Sequence, residues 1–211
     1  MDASDGVRSA EESTAGLLRL REHIGDCQRC ALGATRTTLV FGVGDPRARL
    51  MFVGEAPGRN EDLKGEPFVG AAGRLLDELL ASIGFTRDDV YIANILKCRP
   101  PGNRDPLPAE TAECTPFLQE QIRLIDPMLI VTLGNHATRF ILETQRPIGE
   151  LRGRLFRHEG RRVVPIFHPA AALYDRSKVD VLFDDFKRLR AVLDRAADQD
   201  RPCEDDQQPT L

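Results

Sequence analysis

Four short apolar runs, separated by stretches of helical period, constrain this chain more than any other feature. The runs are Leu50-Met51-Phe52-Val53, Val90-Tyr91-Ile92-Ala93, Met128-Leu129-Ile130-Val131-Thr132-Leu133 and Val163-Val164-Pro165-Ile166-Phe167, each flanked by turn residues. Such runs read as strands. Between them, Arg74 to Leu80 and Thr115 to Ile125 carry apolar residues at helical spacing. Further helices are expected around Leu17 to Ile24, from an Asn135 cap to about Glu143, and over Val179 to Ala196, where Val181, Leu182, Phe186, Leu189 and Val192 make one apolar stripe. Strands alternating with helices imply a parallel sheet covered on both faces. The expected fold is therefore α/β, a three-layer α/β/α sandwich around a central, mainly parallel four-stranded sheet, with no internal repeat.

At 211 residues the chain has room for one domain with a buried core. The expected division is a polar N-terminal arm over 1–16, one folded domain over 17–196 and a disordered acidic tail over 197–211. No stretch approaches the roughly 18 consecutive apolar residues that a membrane helix needs, and Met1 to Ala15 is polar rather than signal-like, so a cytoplasmic location with no membrane contact is expected. A monomer is expected too, since the final helix and tail offer no evident interface stripe.

The net charge of −4 argues against a general polyanion binder, but charge is unevenly spread. Acidic residues crowd both ends, whereas Arg99, Arg104, Arg152, Arg154, Arg157, Arg161, Arg162, Arg176 and Lys178 lie inside, which allows a locally positive face.

Ligands of open parallel sheets bind beyond the carboxyl ends of the strands. The residues that follow the four runs are Gly54-Glu55-Ala56-Pro57-Gly58, Asn94, Gly134-Asn135 and His168-Pro169-Ala170-Ala171-Ala172-Leu173, so polar, turn-forming groups meet there from distant parts of the chain. Of five cysteines, Cys27, Cys30, Cys98 and Cys114 form a C-x2-C pair followed by two single thiols, while Cys203 sits in the acidic tail. Four thiolates in this pattern suit either tetrahedral zinc or a [4Fe–4S] cluster, and spacing alone favours zinc slightly. In either case the metal would staple the N-terminal segment to the segment after the second strand, a structural task.

The stretch from Gly54 to Gly70, GEAPGRNEDLKGEPFVG, together with Asn94 and His168-Pro169, resembles the family-4 uracil-DNA glycosylases. The resemblance covers about residues 17–196 and includes the four cysteines, which in that family hold a [4Fe–4S] cluster; it therefore moves the expected cofactor from zinc to iron–sulfur. It implies an enzyme of base excision repair that flips uracil out of double- or single-stranded DNA and hydrolyses its N-glycosidic bond. Phe68 is then the stacking platform for the base. Asn94 accepts from uracil N3–H and donates to O4, the reverse of what cytosine presents. His168 donates to O2 as negative charge builds on the departing base. Glu55 and Glu61 are the carboxylates for the attacking water or the cationic sugar, and Glu61 is also favoured to exclude the thymine methyl. In the related family-1 enzymes an aspartate stands where this chain has Ala56, so the water must be held differently. Gly54 and Gly58 allow close approach of the backbone to the substrate. Leu173 or Tyr174 would fill the gap left by the flipped nucleotide, with Arg176 and Lys178, and also Arg99 and Arg104, on phosphate. A relative that becomes covalently trapped on DNA through a histidine in a basic loop is disfavoured, because no histidine lies between Asn94 and Cys114. A module that binds uracil-containing DNA without turnover is the remaining alternative.

Overall fold

The computed structural model describes residues 10–199. Among these, six strands form one sheet: β1 (Val43–Gly44), β2 (Leu50–Gly54), β3 (Tyr91–Asn94), β4 (Leu129–Leu133), β5 (Phe156–His158) and β6 (Arg161–Ile166), in the order β1-β3-β2-β4-β6-β5. The four expected strands are the central ones, and all three of their pairings are parallel. The sheet exceeds the expected four strands because β1 and β5 add short antiparallel edges. β1 has only two residues and β5 has none fully buried, so neither leaves an apolar signature in the sequence.

Helices cover both faces. On one face α1 (Ala10–Ile24), α4 (Pro108–Ile125) and α5 (Gly134–Leu142) pack on Met51, Val53, Ala93 and Ile130. On the other, α3 (Ala71–Ser82) and α8 (Ser177–Gln199) pack on Leu50, Phe52, Ile92, Val131 and Val164. Residues 50 to 53 thus alternate between two cores, as the period of a strand requires, and both cores are apolar because helices lie on both sides. Phe52 stacks on Phe186 of α8 with ring centroids 5.6 Å apart, which locks the last helix to the sheet. The short helices α2 (Arg59–Lys64), α6 (Ile148–Leu151) and α7 (Pro169–Tyr174) lie in the connections.

Three expectations need adjustment. Helix α1 begins at Ala10 rather than near Leu17, and Ser13 fastens it by donating to the Leu124 carbonyl of α4 at 3.0 Å. Asn135 does not cap α5; it lies in the first turn of that helix, and its Oδ1 accepts from the Ile148 amide at 2.9 Å, tying α5 to α6. Helix α8 runs to Gln199, and the expected tail beyond it, with Cys203, lies outside the described residues. No described helix is long and apolar enough to cross a membrane.

The strand order reverses between β2 and β4: the chain leaves β2 toward β3 on one side, then crosses back to β4 and β6 on the other. A crevice must open where two such connections diverge, at the carboxyl ends of β2 and β4. Glu55 follows β2 and His136 follows β4, so the fold puts both at this switch point.

Candidate active site and cysteine centre

A cavity of about 590 Å³ lies along those strand ends and is walled by Glu55, Ala56, Glu61, Phe68, Asn94, His168, Leu173 and Tyr174 among others. Loops far apart in sequence therefore converge on one hollow. Two hydrogen bonds draw the first two together: the Ile95 and Leu96 amides donate to the Gly54 and Glu55 carbonyls at 3.0 Å each, so the chain after β3 runs beside the GEAPG loop.

Phe68 and Asn94 both close over Gly54. A methyl group at Gly54 would stand 2.3 Å from Asn94 Oδ1 and 2.8 Å from Phe68 Cζ, so only a residue without a side chain fits between the two. Gly54→Ala is accordingly expected to displace both groups and to slow any reaction they support by about 10²-fold, as misplacement on the ångström scale typically does; steady-state kinetics beside a melting curve would check it.

Phe68 has φ of +54°, a left-handed conformation that costs a non-glycine residue energy and persists only when surroundings enforce it. Several groups enforce it. Arg87 donates to the Phe68 carbonyl and to the Pro67 carbonyl, and Glu61 Oε1 accepts from the Val69 and Gly70 amides at 2.9 and 3.0 Å. Gly73 gives the carbonyl room, since a Cβ there would lie 1.7 Å from Phe68 O. One oxygen of Glu61 is thereby spent on shaping the loop. Asp62, buried beside it, accepts from the Thr37 amide at 2.8 Å and so ties α2 to the segment after the first cysteines.

Asn94 is 2% exposed, and its Oδ1 has no hydrogen-bond partner. An unsatisfied buried acceptor costs about 1–3 kcal/mol, so its retention calls for a donor supplied from outside.

His168 lies at the start of α7, its ring stacked on that of Phe68 with centroids 5.4 Å apart. Its Nδ1 accepts from the Ala170 amide at 3.1 Å, which leaves the proton on Nε2 in the neutral ring. Burial pushes its pKa down to about 4, against the pull of the Glu61 carboxylate, so the imidazole is neutral at physiological pH.

Glu55 faces a histidine that the sequence pattern did not single out. His136 Nε2 lies 3.7 Å from Glu55 Oε2 and 3.6 Å from Asp105 Oδ2. Burial raises the Glu55 pKa, His136 opposes the rise, and Asp105 reinforces it. His136 is on the polar side of an amphipathic helix in the sequence, and only the strand order reveals that this side faces β2's loop.

At the rim, Leu173 is half exposed and Tyr174 is 93% exposed, both on α7. Arg176 is exposed beyond them. Lys178 is not turned to the cavity; it pairs with Asp175 and lies over the Phe167 ring. Arg104 lines the cavity but is held bidentately by Glu110, and Arg99 donates to Asn103 Oδ1 at 2.7 Å.

The four cysteines meet below this site, around an apolar recess bounded by Ile24, Leu32, Leu96 and Phe117. None forms a disulfide. The Lys97 amide donates to Cys114 Sγ at 3.2 Å, Arg36 to Cys98 Sγ at 3.5 Å and Arg29 to Cys27 Sγ at 3.3 Å, donors that suit thiolates. Burial raises the pKa of Cys114 and pushes that of Cys98 up to about 11 against the pull of Arg36. Four thiols around one recess, with N–H donors aimed at three of the sulfurs, make a donor set that fits a thiolate-bound centre.

The sequence model of the uracil DNA glycosylase superfamily matches residues 41–195. The chain is 49% identical over 174 residues to the type-4 uracil-DNA glycosylase of Archaeoglobus fulgidus, covering 79% of this chain and 87% of that protein. It is 45% identical over 185 residues to that of Sulfurisphaera tokodaii, covering 83% of this chain and 84% of the relative. With that of Thermotoga maritima it shares 42% over 176 residues, 82% of this chain and 92% of the relative. The chain belongs to the type-4 uracil-DNA glycosylases. The matched region of the superfamily contains the cavity, from Gly54 to Tyr174, but begins after Cys27 and Cys30, so the cysteine centre joins a segment outside the superfamily's common part to the segment after β3.

Proposed function

We propose that this protein excises uracil from DNA, hydrolysing the N-glycosidic bond to release the free base and leave an abasic site. The unpartnered, buried Oδ1 of Asn94, beside an aromatic ring and a neutral imidazole in one cavity, carries this reading. Uracil presents a donor at N3 and an acceptor at O4, and an asparagine side chain in a fixed orientation answers both; cytosine reverses both and leaves them mispaired.

In this reading the flipped base stacks on Phe68, whose enforced backbone keeps the ring in place before the substrate arrives. His168 donates from Nε2 to O2, the atom that gains charge as the C1′–N1 bond lengthens. A neutral imidazole suits this step, because its Nε2–H bond to O2 strengthens as charge develops there and no proton has to be transferred. Glu55 serves the water that attacks C1′ or the cationic sugar, with its carboxylate at the switch point facing His136. Glu61 shapes the loop that carries Phe68, its second oxygen turned toward Gly58 on the side where a 5-methyl group would have to fit. Leu173 or Tyr174 wedges the duplex, with Arg176 on phosphate; Lys178 reaches phosphate only if it leaves Asp175.

Cys27, Cys30, Cys98 and Cys114 would hold a [4Fe–4S] cluster, which supplies no step of hydrolysis and fastens the chain after β3 to the N-terminal segment. Among the described residues, no three of these sulfurs lie within 4.8 Å of one another. Tetrahedral zinc is the alternative for the same four thiolates; the resemblance to the type-4 enzymes, not the spacing, favours the cluster. Cys98→Ala is expected to cost colour and solubility, which visible absorbance and iron analysis of the purified variant would check.

The deciding experiment incubates purified protein with single- and double-stranded oligonucleotides that contain one uracil and scores free uracil. Release with turnover supports the reading. A heat-stable protein–DNA adduct, or binding that leaves no alkali-sensitive site, would replace it with trapping or with recognition alone.

A further inference from the structure

Nothing in the proposed reaction uses Lys97, which is 1% exposed and lies between Asn94 and the ligand position Cys98. Its ammonium donates to the Asn94 carbonyl at 2.9 Å and to Gln121 Oε1 at 2.6 Å. Both acceptors are neutral. Gln121 is itself pinned in α4, its Nε2 donating to the Phe41 carbonyl at 3.0 Å and to the Tyr91 hydroxyl at 3.2 Å, so its oxygen has no choice but to face Lys97. An ammonium buried this completely without an opposite charge is heavily penalised, and among the described residues no carboxylate forms an ion pair with it.

The cysteines can supply a compensating charge, since Cys114 acts electrostatically on this ammonium. The same residue's backbone amide bonds Cys114 Sγ. Four thiolates around a dicationic centre leave a net dianion whether the centre is a cluster or zinc. Arg29 and Arg36 also reach Cys27 and Cys98, but Arg29 is exposed and Arg36 pairs with Asp26. Lys97 alone among these three cations also touches the residue that carries the base-reading amide.

We infer that Lys97 is a positioning residue that couples the two sites: its buried ammonium balances the thiolate centre, and that balance holds the Asn94 peptide, and with it the side chain that reads the base, at the end of β3. The proposal rests on the metal-centre reading above. It goes beyond that reading by making occupancy of the centre a condition for base recognition rather than a remote staple.

The test compares Lys97→Met, which removes the charge at similar length, with Gln121→Met, which removes a neutral hydrogen bond from the same network, and Lys97→Arg, which keeps the charge. Metal in the purified wild-type protein is first identified by elemental analysis and visible spectrum. Three quantities are then read: the rate of metal loss to EDTA, the reduction potential if the metal is iron, and kcat and KM on a uracil oligonucleotide. Lys97→Met is expected to lose metal about tenfold faster or more, to shift the potential to more negative values because a cation no longer favours the reduced centre, and to lower kcat more than it raises KM. Gln121→Met should leave the potential in place. The proposal is overturned if Lys97→Met keeps both the metal-loss rate and the potential of the wild type, or if Gln121→Met moves them equally, since packing rather than charge is then responsible. Should Lys97→Met fail to fold, Lys97→Arg decides: wild-type metal retention supports the proposal, and loss as fast as in unfolded protein refutes it. Zinc in the wild type would remove the cluster reading alone and leave the EDTA comparison to judge Lys97; a wild type that binds no metal would end both.

Discussion

Asn94→Ala is expected to lower kcat/KM for uracil release by about 10²–10³-fold while leaving thermal stability unchanged or higher. The two effects have opposite signs for one reason. Asn94 Oδ1 is buried with no partner among the described protein groups, so folding bears the cost of an acceptor that no protein group repays and that, in the proposed reaction, the substrate does. Removing the amide abolishes the repayment and the cost together. A core asparagine with an internal role would behave otherwise, its loss lowering the melting temperature and activity in parallel. Asn94→Asp extends the argument to specificity. An ionised carboxylate still accepts from N3–H but repels O4, whereas toward cytosine it accepts from the exocyclic amine, so the ratio of uracil to cytosine release should fall even as both rates are low. Release rates on matched uracil and cytosine oligonucleotides, with a melting curve for each variant, check all three statements. A melting temperature that drops by several degrees in Asn94→Ala would show the side chain to be structural.

The four central strands were legible because a strand buried on both faces needs an unbroken apolar run, and Leu50 to Val53 or Leu129 to Leu133 supply one. The edges were not, since β1 is two residues long and β5 is partly exposed, so packing imposes no pattern on them. The cavity was legible in part. Phe68, Asn94 and His168 follow strands or sit in a loop rich in glycine and proline, and the rule that strand ends converge brought them together in the sequence reading. What escaped it were residues whose importance lies in what they touch: Arg87 beneath the Phe68 loop, His136 opposite Glu55, and Lys97 between Asn94 and Cys114. A lysine in an apolar stretch such as Asn94-Ile95-Leu96-Lys97-Cys98 does carry a signal, because eight consecutive buried positions, Tyr91 to Cys98, leave it no solvent to reach. Asn135 shows the converse error: a residue type that favours helix caps was read as one, but its oxygen serves the next helix instead.

His168→Ala should reduce kcat by about 10²–10³-fold with little change in KM, because the proposed bond from Nε2 to O2 would matter most when the base departs as an anion. A stability cost accompanies it: the Ala170 amide loses its acceptor, typically worth about 1 kcal/mol at a helix start, which in a chain of this size lowers the melting temperature by about 2–4 °C. The pH dependence separates this donor from an acid that must carry a full proton. With its pKa pushed down to about 4 by burial, His168 stays neutral across the working range, so the rate should show no step near 6.5, the value of an ordinary histidine. In the proposed reaction the acid limb follows Glu55 instead, whose carboxyl is raised above its usual 4.5 by burial, and Glu55→Gln should flatten that limb at a much lower rate. Stability carries its own signature. Below 6.5 the unfolded ring takes up a proton that the folded ring refuses until about 4, so the unfolded state binds more protons in that window and the protein loses stability as pH falls through it. His168→Ala removes this loss, so the variant's lower melting temperature should draw level with that of the wild type and then exceed it as pH falls from 6.5 toward 4. If the wild-type rate instead fell as pH rose through about 6.5 and His168→Ala abolished that midpoint, the protonated ring would be the active form, and a neutral donor to O2 could not be the source of the rate.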